Sequence, residues 1–173
     1  MSNITHIKML YGQSMGAEIT IELLRQLQEM NIAVDHCYLD GAPCIKLPPL
    51  FKKVMYLKFK SMIGMIKKKD IDSAQNGGLL KKFFGGDTEG LRPMLEAFAK
   101  AAPLFDEAVQ RNMHFLYGSE EKAYKLCFHG VKSAYPSADY TIVNGYGHLI
   151  YSVKETDKYI GLLQSIICGT MSD

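Results

Sequence analysis

The sequence predicts an α/β fold in which a mostly parallel, four-stranded sheet is flanked by helices. Three observations carry that expectation. Four short apolar runs alternate with stretches of helical spacing, an order that pairs strands in parallel through right-handed crossovers. Each run closes on a turn containing glycine, aspartate or asparagine, the usual punctuation at a strand's end. The chain has 173 residues, enough for one domain with a substantial core.

The elements follow in order. "HIKMLYG", ending at Gly12, reads as a buried strand. From Ser14 to Met30, Ile19, Leu23, Leu24 and Leu27 recur at the spacing of a helix face, and Asn31 closes the helix. "IAVDHCYLDGAP" supplies a second strand and its turn. "MHFLYGSEE" is a third, with helical sequence after it through Val131, and "ADYTIVNGYGH" is a fourth. A last amphipathic helix is expected from about Val153 to Ile167, with Tyr159, Ile160, Leu163 and Ile167 on one side.

Between the second and third strands lies a long helical insertion, residues 44–110, broken by "QNGG" and "FFGGD". Its first part, "KLPPLFKKVMYLKFKSMIGMIKKKD", is basic and rich in methionine. A solvated face with lysine stems lying over apolar neighbours explains it better than a membrane-surface helix. Without repeats or low-complexity linkers, residues 1–173 read as a single domain carrying this insertion.

Composition excludes several function classes. Twenty basic against eighteen acidic residues give a formal charge of +2, too balanced to imply a nucleic-acid partner. Cys37, Cys44, Cys127 and Cys168 are scattered without paired spacing, which suits a reducing, cytoplasmic setting. No run approaches the roughly 18 apolar residues of a membrane span. No metal, nucleotide or flavin signature appears, so no cofactor is expected.

Gly12-Gln13-Ser14-Met15-Gly16 fits G-x-S-x-G between a strand and a helix. In one reading it is a nucleophile elbow. The glycines then allow a cramped turn, Ser14 is lifted toward solvent, and the Met15 backbone N–H faces a developing oxyanion. In the other it is a tight turn whose serine caps the helix. Glu120 and Glu121 follow the third strand and His148 follows the fourth. Serine, acid and histidine therefore each follow a strand's carboxyl end, and in a parallel sheet those ends share one edge. His36 and His114 fall inside strands, His129 in a helix and His6 near the terminus; packing explains these four better.

With these residues in view, the chain resembles the C-terminal part of an α/β-hydrolase-fold protein, from the nucleophile strand to the last helix. "GQSMGAE" is similar to that family's elbow, "YGSEE" to its acid loop and "GYGH" to its histidine loop. The resemblance implies Ser14 as nucleophile and His148 as general base, with a carboxylate orienting the imidazole. Glu121 stands three residues after Gly118, where many relatives carry the acid; Glu120 and Asp40 are alternatives. It also implies a lid formed by the insertion, with Met55, Leu57, Met62 and Met65 facing a small acyl substrate.

The family's sheet has further strands ahead of the nucleophile strand, so the resemblance is to a truncated fold. A second oxyanion donor, from a loop after one of those strands, has no counterpart here. The first strand becomes an apolar edge, open to pairing. A homodimer through that strand is the expected partner arrangement, with completion by a separate chain as an alternative. The implied activity is hydrolysis of small carboxylic esters or thioesters. The competing expectation is a catalytically impaired, hydrolase-derived binding protein.

Overall fold

Among the described residues four strands form, and they pair in the order in which the chain makes them. The computed structural model describes residues 4–43, 53, 54, 56, 57, 102–148 and 156–170. Two compact units are distinguished, Met1–Cys44 with Pro103–Asp173, and Ile45–Ala102. Residues 53, 54, 56 and 57 of the second unit are helical.

The first unit contains β1 (His6–Gln13), α1 (Met15–Glu29), β2 (Ala33–Asp40), α2 (Glu107–Gln110), β3 (Met113–Gly118), α3 (Lys122–Ala134), β4 (Asp139–Val143) and α4 (Thr156–Thr170). The sheet order is β1-β2-β3-β4, and all three pairings are parallel. Four parallel strands with flanking helices are thus the architecture expected from the alternating sequence pattern.

Register sorts the side chains between two faces, because residues in register on parallel strands project the same way. Gly12, Leu39, Phe115 and Tyr140 lie in one row. This is the face of α1 and α3: Gly12 meets Gly16 and Thr20 of α1, while Tyr140 packs edge-on against Phe128 of α3. Leu39, Cys37, Phe115, Tyr117, Val131 and Tyr135 are almost fully buried there. The opposite face carries Tyr11, Tyr38 and His114 in one row and Gln13, Asp40 and Leu116 in the next. It meets α4 through Tyr159.

Two helix faces differ from the sequence expectation. α1 buries Ala17, Thr20, Ile21, Leu24 and Leu27, whereas Ile19 and Leu23 are 64% and 40% exposed. Gly12 approaches α1 closely at Gly16 and Thr20, at one side of that buried face. At roughly 100° per residue, Leu23 and Ile19 lie about 100° and about 140° around the helix from Leu24, the middle of the buried face. In α4, Leu162 and Leu163 line a cleft beside Tyr159, and Ile160 points outward, 46% exposed.

Candidate active site

Ser14 follows the last residue of β1 and precedes the first residue of α1. Its backbone has φ 54° and ψ −119°, a left-handed conformation that costs a non-glycine residue about 1–3 kcal/mol. The Ser14 side chain makes no capping hydrogen bond to α1, so the helix-cap reading does not describe it. Its Oγ lies 2.8 Å from His148 Nε2. The other ring nitrogen, Nδ1, is hydrogen-bonded to Glu121 Oε1. An ionised carboxylate only accepts hydrogen bonds, so the Nδ1 proton faces Glu121 and Nε2 is left to accept from the serine hydroxyl.

Glu121 stands at the start of α3 and is only 2% exposed. Its second oxygen accepts from the Gly118 N–H at 3.1 Å, which ties the acid to the end of β3. Glycines leave room for the arrangement. A Cβ on Gly41, whose φ is +60°, would stand 2.5 Å from Glu121 Oε1 and 2.8 Å from His148 Nδ1. A Cβ on Gly118 would overlap the Tyr146 carbonyl, in the loop that presents His148.

The alternative acids lie elsewhere. Glu120 is exposed and its carboxylate sits 3.7 Å from Lys125 Nζ, a surface pair worth about 0–1 kcal/mol. Asp40 Oδ2 accepts from Tyr11 OH at 3.0 Å and from Gln13 Nε2 at 3.0 Å, and is also bonded by Tyr159 OH. Burial, opposed by those donors and assisted by the Glu121 charge, raises the Asp40 carboxyl above its ordinary range. Burial and the Asp40 charge likewise raise the Tyr11 and Tyr159 phenols. The sequence pattern did not point to Gln13, Tyr11 or Tyr159 as site neighbours. A polar residue on every second position at the end of β1 was the available signal.

Met15 is the first residue of α1, so its N–H belongs to the helix-terminal amides without an intrahelical acceptor. Leu57 is helical and 56% exposed; Met55, Met62 and Met65 lie outside the described residues. An open cleft flanks His148 and Glu121, with Leu116, Val143, Tyr146, Leu162 and Leu163 in its lining. Ser14 is not part of that lining. Cys37 and Cys127 are buried, and burial pushes their thiols up to about 12 and about 11, which removes both as competing nucleophiles. No helix among the described residues is long and apolar enough to cross a membrane.

Comparison with known proteins bears on the fold. No family model and no curated protein matches the sequence. Solved structures do. A carboxylesterase from the ammonia-oxidising thaumarchaeon Nitrososphaera gargenis matches with a TM-score of 0.63 at 14% identity, over 99% of this chain and 68% of its own. The enol-lactonase of Burkholderia xenovorans LB400 gives 0.61 at 14% identity, over 95% and 66%. The type II thioesterase BorB of the borrelidin biosynthetic cluster gives 0.58 at 17%, over 91% and 64%. The chain thus spans about two thirds of the length of each of these structures.

Proposed function

From its α/β-hydrolase fold, we propose that this chain is a serine hydrolase of small carboxylic esters or thioesters, acting through an acyl-enzyme on Ser14. One observation carries the reading. The Ser14 hydroxyl, on a strained turn and not engaged in capping, lies 2.8 Å from an imidazole whose far nitrogen is held by a buried carboxylate.

The chemistry follows from that order. As the Ser14 oxygen bonds to the substrate carbonyl carbon, its proton passes to His148 Nε2. Glu121 stabilises the resulting imidazolium and holds the ring in register. The Met15 N–H, at the positive end of α1, faces the oxyanion. Collapse breaks the bond to the alcohol or thiol, which leaves with the proton from His148. Water then attacks the acyl-enzyme with His148 again as base, and the acid departs as Ser14 regains its proton.

A fluorophosphonate probe tests this. Wild-type protein should be labelled, and Ser14→Ala should abolish labelling. His148→Ala should slow it by about 10⁴-fold, the scale of losing a triad member. Folded wild-type protein that takes no label would sink the reading and leave a binding role. Turnover of p-nitrophenyl esters of increasing length then sorts the acyl group.

We further propose a homodimer through β1. Among the described residues β1 pairs with β2 alone, and Met9 and Tyr11 on it are 40% and 38% exposed. An open strand edge meets an identical edge around a two-fold axis without any other partner.

A further inference from the structure

Ser14 holds a backbone conformation that survives only where its surroundings over-determine it, and the contacts that do so converge on one residue. The Ser14 N–H donates to the Asp40 carbonyl at 2.7 Å. The side chain of the preceding residue, Gln13, donates through Nε2 to Asp40 Oδ2 at 3.0 Å and to Tyr159 OH at 2.8 Å. Tyr11, two strand positions earlier, donates to the same Asp40 oxygen and meets Tyr159 OH. Tyr159 in turn bonds that oxygen from α4. Asp40 therefore grips the turn by its main chain and its side chain, and Tyr159 locks that grip to the helix.

The chemistry of the cluster is costly for packing alone. Even a half-buried carboxylate is expensive unless its oxygens are well satisfied, and four apolar side chains would fill the same space without that cost. Orienting the imidazole does not account for it either, because both ring nitrogens of His148 are engaged elsewhere. We infer that Asp40 and Tyr159 are positioning residues for Ser14: they hold the serine turn at the sheet's edge so that its hydroxyl stays aligned on His148. This inference rests on Ser14 being the nucleophile.

The experiment follows fluorophosphonate labelling over a range of probe concentrations, which separates three quantities: the limiting first-order rate, the half-saturating concentration and the final labelled fraction. Tyr159→Phe deletes one hydroxyl without changing shape. Asp40→Ala deletes the acceptor, and Asp40→Asn restores an acceptor oxygen. A misplacement of ~1 Å costs up to about 10²-fold in rate. Tyr159→Phe and Asp40→Ala should therefore lower the limiting rate at least about tenfold, with complete final labelling and a half-saturating concentration within about twofold of wild type. Asp40→Asn should recover part of the lost rate. Wild-type limiting rates in Tyr159→Phe and Asp40→Ala would overturn the inference. So would a reduced labelled fraction at unchanged rate, the mark of a role in folding alone. If wild-type protein itself takes no label at Ser14, the nucleophile assignment fails first and this inference falls with it.

Discussion

At the scale of single residues, the site separates a buried carboxylate, Glu121, from a half-buried one, Asp40, by what they touch. Glu121 engages the imidazole and the Gly118 amide, whereas Asp40 collects two phenols and an amide. Burial raises the Asp40 carboxyl above its ordinary value of 3.8, and this has a sign for stability. Between the unfolded and folded pKa values the native state binds more protons than the unfolded state, so unfolding free energy falls as pH rises through that window. The favourable contribution is fully present below the unfolded value and is lost above the folded one. Asparagine does not titrate. The stability of Asp40→Asn relative to wild type should therefore improve from about pH 4 upward and then level off. Urea unfolding of both proteins across pH 4–8 checks this, and a difference that stays flat with pH would remove the argument. The sequence makes Ser14, Glu121 and His148 legible because each follows the end of a predicted strand. It hides Tyr159 because a tyrosine on an amphipathic helix reads as packing, and its partners lie 119 to 148 positions away.

Between elements, the decisive contact is strand against helix at the G-x-S-x-G turn. The two glycines of that motif do different work. A Cβ on Gly12 would overlap Thr20 Oγ1 and stand 2.5 Å from the Gly16 carbonyl oxygen, so α1 would have to lift off β1. A Cβ on Gly16 meets nothing within 4 Å among the described residues. Gly12→Ala should therefore cost about 1–3 kcal/mol, the usual range for overpacking, and should slow probe labelling by tilting the serine turn. Gly16→Ala should be neutral or mildly stabilising, since alanine is the better helix former by up to about 1 kcal/mol. Equal effects of the two substitutions in chemical denaturation would contradict this account. The face of α1 was only partly legible. Ile19, Leu23, Leu24 and Leu27 do follow helical spacing, but α1 carries apolar residues on more than one side. Which side is buried depends on the sheet it packs against, outside the helix. Strand positions were easier to read because a parallel sheet covered on both faces favours near-continuous apolar runs.

For the whole molecule, the parallel sheet gathers the carboxyl ends of all four strands, and with them the candidate site, at one edge, while leaving β1 paired on one side among the described residues. An edge strand with exposed Met9 and Tyr11 and a single lysine, Lys8, has little of the charge that deters strand addition. Two copies joined antiparallel at β1 would satisfy both sets of open main-chain groups and bury those side chains together. Each copy's site would stay intact, because Ser14, His148 and Glu121 come from one chain. Sedimentation at micromolar concentration should therefore give twice the chain mass, with a melting temperature that rises with concentration. Met9→Lys puts a charge on the edge without touching the Asp40 cluster. It should shift the species to monomer and abolish the concentration dependence while leaving probe labelling of the monomer in place. A wild-type protein that sediments as a monomer throughout would rule the β1 dimer out. A dimer unaffected by Met9→Lys would place its interface away from this edge.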